Sequence, residues 1–560
     1  MADTLQQLLR SRAEQDTVAV RYGDRSWTWH EHIAQAAAQA QALISRADPS
    51  RPLHVGVLLG NTPQMLTALA AAALGGYVLC GINTTRRGDA LARDITRVDC
   101  QLLLTDADHR GLLDGLDLPG VTVLDVSQPQ PPAPGGLDRL TPYREARPDD
   151  TFMMIFTSGT SGDPKAVEVS HAVVLFAGGA LVERYGLTRD DVCYLAMPLF
   201  HSNAVYAGWS VAVGSGAAMA PATFSASGFL PDIRRYGATY MNYVGKPLAY
   251  ILATPEQPDD ADNPLRVAFG NEAADRDIEA FGRRFGCTVW DGFGSTETAV
   301  IITRTEDCPP GSIGRGFPGV AVYDPETVTE CAVAGFDDNG ALVNPDAAIG
   351  ELVNTSGGGL FRGYYNDQGA TDQRMRNGMY WSGDLAYRDA DGWIYLAGRT
   401  ADWMRVDGEN LTAAPIERIL LRLEAINRVA VYPVPDEHVG DQVMAAVVLR
   451  DDAALTPGEF GRFLAAQRDL SPKAWPRYVW VADDLPTTAT NKILKRELVA
   501  LGADPRGRLL WHRDGREYHL LGARLGHWRS SWHNGPLTLG PGSRPVHADG
   551  RPGSTIEEEP

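Results

Sequence analysis

The 560-residue sequence contains little lysine, few cysteines and no surplus of positive charge. Its net charge of −19 excludes a general nucleic-acid-binding surface, because such a surface needs a basic stripe. The six cysteines form no CxxC pair and no Cys/His spacing that suits zinc, and they therefore predict buried, reduced thiols. Only five of the 51 basic residues are lysine. Two interpretations of each lysine stay open, retention where a compact, flexible ammonium is needed and chance survival.

Long hydrophobic runs are also absent. The N-terminal stretch MADTLQQLLRSRAEQD is charged where a signal peptide would need an apolar core. The best membrane candidate, Leu66 to Ile82, is rich in alanine and broken by Gly75 and Gly76. This composition favours a buried helix that runs into a strand over a membrane span. We therefore expect a soluble protein located in the cytoplasm.

Apolar runs of strand length alternate with segments of helical length over much of the chain. HVGVLLG at His54, FMMIF at Phe152 and CTVWDGFG at Cys287 are examples. The alternation predicts parallel sheets covered by helices on both faces, an α/β architecture. After Arg399, the stretches VAVYPVPD, QVMAAVVLR and PRYVWVADD alternate with two helical stretches and predict a compact α+β unit. A chain of this length is too long for one core, so at least two domains are expected.

The stretch FTSGTSGDPKAVEVSH, residues 156–171, groups glycine, serine and threonine around Lys165. It does not fit the P-loop pattern GxxxxGK[ST]. Its backbone N–H groups and hydroxyls are nevertheless suited to wrapping a polyphosphate, whose charge the lysine would neutralise. By itself the stretch leaves two interpretations equally open, a phosphate-binding loop and a plain flexible loop.

This stretch and those that follow it resemble the motifs of the adenylate-forming superfamily, which contains acyl-CoA synthetases, nonribosomal-peptide adenylation domains and luciferases. The resemblance covers roughly residues 10 to 500. In chain order the further motifs are PLFHSNA at Pro198, FGNEA at Phe269, DGFGSTE at Asp291, GSIGRGFPG at Gly311, GELVNTSGGGLFRGYYND at Gly350, YWSGDLAYRDADGWIYLAGR at Tyr380, RVDGENL at Arg405 and LPTTATNKILKREL at Leu485. RTADWMRVDGENL and PTTATNKILKREL are most similar to bacterial fatty-acyl-CoA synthetases of the long-chain and fatty-acid-transport-protein branch.

The resemblance implies a large N-terminal domain, residues 1–399, of doubly wound sheets with a distorted barrel. It also implies a small, mobile C-terminal α+β domain, residues 403–505. A hinge at Thr400, Ala401 and Asp402 would let the small domain rotate between two half-reactions. Residues 506–560 form an extension that does not resemble the family core, and its last part is predicted to be mobile.

The same resemblance implies three groups of ATP-binding residues. The β and γ phosphates would be held by Thr157, Ser158, Gly159, Thr160, Ser161, Gly162 and Lys165. Adenine would stack on Phe293, with Asp291, Gly292 and the backbone of Gly270, Asn271 and Glu272 at its edge. The ribose hydroxyls would bind Asp384, assisted by Arg399.

The residues implied in catalysis are Lys492, Thr296, Glu297 and His201. Lys492 would bridge the substrate carboxylate and the α-phosphate, and its charge would offset the charge that builds up during in-line attack. Thr296 would contact phosphate, while Glu297 would ligate Mg²⁺ as a hard oxygen donor. His201 would gate the acyl pocket, and a packed core histidine is an equally open interpretation.

Two further features of the sequence indicate the class of the carboxylic acid substrate and the thiol that accepts the acyl group. PLFHSNA lacks the carboxylate that amino-acid-activating relatives use, and the expected pocket is largely apolar, which favours a hydrophobic acid. The pocket residues are His201, Val205, Met241, Tyr243, Ala299 and Val300. No carrier domain follows the small domain, so coenzyme A is the expected thiol, entering a tunnel at Arg405, Val406, Gly408 and Glu409. A free-standing acyl carrier protein and a homodimer stay open as partners.

The implied function is an acyl-CoA synthetase that uses ATP, Mg²⁺ and coenzyme A on a medium- or long-chain fatty acid or a bulky natural-product acid. Ala166, Ala401 and the pair Thr298 and Ala299 depart from the family pattern. Two alternatives therefore stay open. One is a partial ligase that only converts an acyl-adenylate to a thioester, and the other is a catalytically silent acyl or adenylate binder.

Overall fold

The computed structural model describes residues 2–127, 136–157, 164–245, 247–338, 340, 342–399, 403–406, 409–436, 440–487, 493–505 and 507–521. Within these ranges the chain forms four β-sheets, three before Arg399 and one after it. We refer to these two parts as the large and the small domain. Each helix in the described ranges is too short or too polar to traverse a lipid bilayer.

The first part of the large domain contains the strands and helices of an α/β unit. In chain order they are α1 Leu5–Arg10, β1 Val18–Tyr22, β2 Arg25–Thr28, α2 Trp29–Ile44, β3 His54–Leu58, α3 Pro63–Gly75, β4 Val78–Gly81, α4 Gly88–Arg97, β5 Leu102–Thr105, β6 Thr122–Asp125 and β7 Thr151–Thr157. The alanine-rich α3 is buried and packs against α1 and α2. The predicted helix that runs into a strand is thus confirmed as α3 followed by β4.

The second part of the large domain repeats this alternation. Its elements are β8 Lys165–Ser170, α5 His171–Tyr185, β9 Val192–Leu195, α6 Ser202–Ala204, a π-helical turn Val205–Trp209, α7 Ser210–Ser215, β10 Ala218–Pro221, α8 Phe229–Tyr236, β11 Tyr240–Val244, α9 Pro247–Leu252, β12 Val267–Asn271, α10 Asp275–Phe285 and β13 Thr288–Asp291.

The two sheets formed by these elements are mainly parallel. One has the strand order β13-β12-β11-β9-β10-β1-β2, and only its edge pair β1–β2 is antiparallel. The other has the order β6-β5-β3-β4-β7-β8, and only its edge pair β7–β8 is antiparallel. Because parallel strands need crossover connections, the intervening helices cover the faces of the sheets. The predicted doubly wound α/β architecture is confirmed.

A third sheet, antiparallel throughout its described pairs, completes the large domain. Its region contains β14 Ile302–Thr303, β15 Gly314–Gly316, β16 Val320–Asp324, β17 Thr329–Glu330, α11 Pro345–Ala348, β18 Gly350–Asn354, α12 Gln368–Arg374, β19 Met375–Arg376, β20 Met379–Arg388 and β21 Trp393–Arg399. The strand order is β14-β15-β21-β20-β18-β16-β17, and β19 pairs with β20.

The small domain is an α+β unit, as predicted. Its elements are β22 Trp403–Val406, β23 Glu409–Thr412, α13 Ala413–Leu420, β24 Ile426–Asp436, β25 Gly440–Leu449, α14 Pro457–Ala466, β26 Tyr478–Val481, α15 Lys495–Leu501, β27 Leu509–Asp514 and β28 Glu517–Leu520. The sheet has the order β23-β22-β25-β26-β27-β28, with β24 also paired to β25.

This sheet continues past residue 505, where the sequence predicted the end of the small domain. Strand β27 pairs antiparallel with β26, and β28 pairs with β27. Trp511 and Tyr518 are buried against Phe460 of α14, with ring centroids 5.8 and 5.1 Å away. The first part of the predicted extension therefore belongs to the core of the small domain. Residues 522–560 lie outside the described ranges.

Local sequence signals set the ends of several helices. Thr28 and Glu31 form a reciprocal capping box at the start of α2. Helix α3 begins at Pro63, whose missing N–H is not needed in the first turn, and it is followed by Gly76 with φ +67°. A Cβ at Gly76 would overlap the carbonyl oxygen of Arg144, so the turn between α3 and β4 requires glycine.

Candidate active site

A deep cleft lined by both domains contains most of the predicted site residues that the structure describes. Its volume is about 2850 Å³. The predicted residues on its wall are Thr157, Lys165, His201, Asn271, Glu272, Asp291, Gly292, Phe293, Thr296, Glu297 and Asp384. The carboxyl ends of β7, β12 and β13 supply several of them, as is usual for ligand sites in α/β sheets. Motifs far apart in the sequence therefore meet in one place.

The predicted phosphate-binding stretch connects the two strands of a β-hairpin. Strand β7 ends at Thr157, β8 begins at Lys165, and these two residues are paired across the antiparallel ladder. The Thr157 hydroxyl lies 3.5 Å from the carbonyl oxygen of Lys165. Residues 158–163, which include Ser158, Gly159, Thr160, Ser161 and Gly162, lie outside the described ranges. Their phosphate contacts stay a prediction.

Two departures from the family pattern have local structural consequences. Ala166 is buried in an apolar cluster with Phe156 and Cys80, so its methyl group packs within the large domain. Thr298 has φ +53°, in the left-handed region that favours glycine. This chain therefore accepts backbone strain directly after Glu297 of the cleft wall.

Gly270 allows two neighbouring strands to approach each other closely. It pairs with Tyr243 across β11 and β12. A Cβ at Gly270 would overlap the backbone oxygen and the ring of Tyr243. The FGNEA segment is therefore held against β11 by the lack of a side chain at this position.

We expect Gly270→Ala to lower the free energy of unfolding by about 1 to 3 kcal/mol, because the added methyl group overpacks the sheet. Urea unfolding followed by circular dichroism measures the change. Gly294→Ala is the matched control, since a Cβ there meets open space, with nothing within 4 Å. Equal stability of the two variants would contradict the close-packing role of Gly270.

A chain of three asparagine side chains supports the adenine-side segments. Asn271 Nδ2 donates to the carbonyl oxygen of Gly292 at 2.6 Å. Asn203 Nδ2 donates to Asn271 Oδ1 at 2.9 Å, and Asn242 Nδ2 donates to Asn203 Oδ1 at 2.8 Å. Because the Gly292 carbonyl can only accept, it sets the direction of the whole chain. The sequence indicated Asn271, but not Asn203 or Asn242.

Asp291 lies at the bottom of the cleft in an environment that disfavours its charge. Burial raises its pKa to about 7, although the Ala273 N–H, Arg304 and the Tyr243 hydroxyl favour the carboxylate. The Tyr243 hydroxyl donates to Asp291 Oδ1 at 3.3 Å. The adjoining Glu272 has φ +64°, a conformation unusual for a residue with a side chain. The predicted adenine edge therefore combines a carboxyl group that titrates near neutrality with a strained backbone.

Glu297 and Lys165 lie on either side of Tyr364. The Tyr364 hydroxyl donates to Glu297 Oε1 at 2.8 Å, and Lys165 Nζ is 5.2 Å from the centroid of the Tyr364 ring. Glu297 is only 9% exposed. The neighbouring Thr296 hydroxyl donates to Ser202 Oγ at 2.9 Å, which anchors it to α6. One aromatic side chain thus connects the predicted phosphate lysine with the predicted metal ligand.

The site at Glu297 suits a metal ion that takes most of its ligands from water and substrate rather than from the protein. The described residues contain no group of three or more His, Cys, Asp and Glu side chains placed to hold a metal ion. Mg²⁺ commonly binds one or two carboxylates and completes its shell with water and substrate phosphates. A single carboxylate on the wall of the cleft fits that pattern.

Asp384 lies in the third sheet, where β20 meets β21. It is 9% exposed, and its backbone N–H donates to Ser382 Oγ at 3.0 Å. Its partner across the ladder is Arg399. The side chain of Arg399 is outside the described part of the structure, so its predicted assistance in ribose binding stays a prediction.

The predicted acyl pocket is only partly represented on the cleft wall. Of its six residues, only His201 belongs to the described wall of the cleft. The other five are buried in the main core of the large domain: Val205, Met241, Tyr243, Ala299 and Val300. The Tyr243 hydroxyl, for example, donates to the backbone oxygen of Trp290 at 2.9 Å. Val244, the next residue of β11, is on the cleft wall. The part that the six residues take in acyl binding stays a prediction.

His201 is a neutral group in the folded protein. Burial lowers its pKa to about 4. Its ring packs against Phe200 with a centroid distance of 4.4 Å, and its Nε2 has no hydrogen-bond partner among the described residues. His201 therefore combines both interpretations offered by the sequence, a packed histidine and a residue on the cleft wall. Its predicted gating role stays a prediction.

The small domain contacts the large domain through two arginines. Arg276 of α10 donates to the carbonyl oxygens of Leu421 and Ile426, at 2.8 and 2.9 Å. Arg418 of α13 donates in the opposite sense, to the carbonyl oxygen of Gly311 at 3.1 Å. These contacts hold α13 at the edge of the cleft.

Several predicted small-domain residues fall partly or wholly outside the described residues. These are Thr400, Ala401 and Asp402 of the hinge, Gly408 of the tunnel and the catalytic Lys492, together with the side chains of Arg405 and Glu409. Val406 is described, and it is buried in the small-domain core beside Met404. The hinge, the tunnel and the role of Lys492 stay predictions.

Two wall residues were not singled out from the sequence. Tyr364 lies within the stretch GELVNTSGGGLFRGYYND, but nothing in that stretch marked it as a partner of Glu297. Arg374 ends helix α12, and its guanidinium reaches the cleft beside Tyr364. The contact of Tyr364 with Glu297 joins segments separated by 67 residues, so it leaves no pattern in the local sequence.

Comparison with known proteins agrees with this geometry. The family described as AMP-binding enzyme matches residues 9–365, and the family described as AMP-binding enzyme C-terminal domain matches residues 415–492. The chain belongs to the AMP-binding enzyme family. The resemblance to adenylate-forming enzymes is thereby confirmed, and the two matches fall on the large and the small domain.

Curated members of the family include two informative relatives. A medium/long-chain-fatty-acid–CoA ligase, FadD17 of Mycobacterium marinum, is 53% identical over 502 residues, which are 90% of this chain and 97% of the relative. A steroid-22-oyl-CoA synthetase of Rhodococcus jostii is 45% identical over 511 residues, which are 88% of this chain and 90% of the relative.

Solved structures share the fold of this AMP-binding enzyme. ATP-bound MatB from Rhodopseudomonas palustris superimposes with a TM-score of 0.78 at 23% identity, over 90% of this chain and 99% of MatB. An o-succinylbenzoate-CoA synthetase, MenE of Bacillus subtilis in complex with its acyl-adenylate intermediate, gives a TM-score of 0.70 at 24% identity. At these identities the likeness supports the fold alone.

Proposed function

We propose that this protein is an ATP-dependent acyl-CoA ligase that activates a hydrophobic carboxylic acid. The observation that carries the proposal is the meeting of three separate motifs in one cleft, represented by Lys165, Glu297 and Asp384. Relatives that are 53% and 45% identical have ligase or synthetase names, which supports the same conclusion.

The reaction has two half-reactions. First, a carboxylate oxygen of the acid attacks the α-phosphorus of ATP, the bond from that phosphorus to the bridging oxygen breaks, and pyrophosphate leaves. Second, the sulfur of coenzyme A attacks the acyl carbon of the resulting acyl-adenylate. The bond between that carbon and the AMP oxygen breaks, AMP leaves with the electron pair, and the thiol proton passes to solvent.

The described residues supply binding and orientation for the first half-reaction. Asp384 would accept hydrogen bonds from the ribose hydroxyls, and Phe293 would stack on the base. Lys165 would neutralise the β and γ phosphates. These phosphates leave as pyrophosphate and carry most of the developing charge. Glu297 would hold Mg²⁺, which supplies charge neutralisation at the phosphates when bound. Lys492 would bring a further cation from the small domain.

The acid is proposed to have a carboxyl group on a large apolar body. The relatives' names refer to medium- and long-chain fatty acids and to a steroid-22-oyl group, and these substrates share that property. The cleft wall around His201 includes Phe200 and Val244, and the neutral imidazole adds no charge there. A wall segment that contributes apolar side chains and no charge at His201 supports such an acid over an amino acid.

A panel of carboxylic acids tests this function. We expect AMP and pyrophosphate release with ATP, coenzyme A and at least one acid from a series that includes medium- and long-chain fatty acids and steroid side-chain acids. Omitting coenzyme A should leave acid-dependent pyrophosphate exchange intact. Absence of exchange with every acid, together with AMP release when acyl-adenylate and coenzyme A are supplied, would instead indicate the partial ligase. Absence of both of these reactions would contradict the proposal.

A further inference from the structure

Arg374 is a half-buried cation at the point where α12 ends and the third sheet begins. Its Nη1 donates to the carbonyl oxygen of Trp381 at 3.2 Å, and its side chain is hydrogen-bonded to Tyr364. The guanidinium group belongs to the wall of the cleft. A guanidinium has five N–H donors, so these two contacts use only part of its capacity.

The SGD segment is shaped to accept this side chain. Gly383 has φ +75°, and a Cβ at this position would overlap Nη1 of Arg374. Any other residue at 383 would therefore displace the guanidinium as well as strain the backbone. The glycine before Asp384 thus has a second use, which is to let the guanidinium of Arg374 lie against this turn of the backbone.

The charge on Arg374 is retained. Burial works to lower its pKa, but Tyr380, Tyr364 and Glu297 together raise it above the ordinary value for arginine. Two acidic groups interact with this charge: Glu297, which is joined to it through Tyr364, and Glu351, whose Oε1 accepts a hydrogen bond from the Gly383 N–H at 2.7 Å. A permanent cation is therefore held near the predicted metal ligand and against the glycine that precedes the predicted ribose ligand.

We propose that Arg374 binds the oxygens of the nucleotide α-phosphate. The inference rests on the proposed function, in which Asp384 binds the ribose and Lys165 binds the outer phosphates. The α-phosphate is the group that joins these two parts of ATP. Arg374 contacts Gly383, which precedes Asp384, and Tyr364, whose ring centroid is 5.2 Å from Lys165 Nζ. Planar guanidinium groups are well suited to bind two oxygens of one phosphate.

This placement has a consequence for the two half-reactions. Arg374 belongs to the large domain, whereas Lys492 belongs to the small one, so Arg374 would keep its contact when the small domain moves. It would hold the phosphate of the acyl-adenylate, and later of AMP, during thioester formation. The carboxylate of the acid is the other oxyanion that could reach this site, and the experiment below separates the two.

Calorimetric titration of the full-length protein with AMP, with adenosine and with an acid that is active in the panel above, all in EDTA, tests the assignment. We expect Arg374→Ala to weaken AMP binding about tenfold or more, as for loss of a charged hydrogen bond, and to leave adenosine binding unchanged. Arg374→Lys should weaken AMP binding less, because it keeps the charge but loses the planar fork. Arg388→Ala is the matched control on the same sheet, since Arg388 pairs with the exposed Glu330.

Three outcomes would overturn the inference. Unchanged AMP affinity in both variants would contradict the proposed contact between Arg374 and the α-phosphate. An equal loss of AMP and adenosine affinity would indicate general damage to the site. Weaker binding of the acid alone, with AMP binding unaffected, would show that Arg374 binds the carboxylate of the acid instead of the α-phosphate. If Arg374→Ala does not fold, Arg374→Lys decides. Failure of the wild-type protein to bind AMP would count against the proposed function itself, which distinguishes the two failures.

Discussion

Replacing Glu297 with glutamine is expected to lower the rate of acid-dependent ATP cleavage by about two to three orders of magnitude. Glutamine has nearly the same shape, and its Oε1 can still accept the Tyr364 hydroxyl, which is 2.8 Å from Glu297 Oε1. The substitution therefore removes the negative charge without opening a cavity. The proposed Mg²⁺ ligand is lost, and with it the charge neutralisation at the phosphates.

Initial rates of pyrophosphate release over a range of Mg²⁺ concentrations measure this effect. We expect the variant to need more Mg²⁺ for half-maximal rate. Glu168→Gln is the control, because Glu168 is a half-buried carboxylate on β8 that accepts a hydrogen bond from Thr151, away from the described cleft wall. If Glu297→Gln retained the wild-type rate and Mg²⁺ dependence, the proposed metal site would be wrong.

Lys492→Ala is expected to reduce acyl-adenylate formation by about two to three orders of magnitude and to leave thioester formation from presynthesised acyl-adenylate largely intact. The lysine would offset the negative charge that builds up while the carboxylate attacks the α-phosphate. This attack takes place only in the first half-reaction, and pyrophosphate has already left before the second one begins. The prediction rests on the match of the terminal segment to the family motif.

Separate assays of the two half-reactions provide the measurement, one by pyrophosphate exchange and one by AMP release from acyl-adenylate and coenzyme A. Lys473→Ala is the control, because Lys473 is an exposed lysine of the same domain. An equal loss in both assays would argue against different positions of the small domain in the two half-reactions. Full retention of pyrophosphate exchange in the variant would show that Lys492 has no catalytic role in the first half-reaction.

Much of the fold followed from simple patterns. The apolar run at His54 is β3, the segment after it is α3, and the run at Phe152 is β7. The segments after Arg399 form the predicted α+β unit, and the motifs were correct about which parts of the chain meet in the cleft. These successes share a cause, since strand length, helix periodicity and glycine-rich turns are all encoded locally.

Local sequence patterns do not indicate which residues of a fully buried strand are directed to the cleft, as the predicted acyl pocket illustrates. Strand β11 is buried on both faces, so its sequence YMNYV has no alternation that marks the face toward the cleft. The prediction chose Met241 and Tyr243, whereas Asn242 is the residue joined to the cleft through Asn203. A shift of one residue along a strand exchanges the two faces.

The sequence by itself determined the fold class, the family and the set of segments that bear the chemistry, because those depend on local propensity and on short motifs. Only the tertiary structure decided which side chains act together. It joined Tyr364 to Glu297, placed Arg374 over Gly383, and carried the small-domain sheet on to β28. Such contacts depend on how side chains and strands pack in three dimensions, and the short motifs used above do not record that packing.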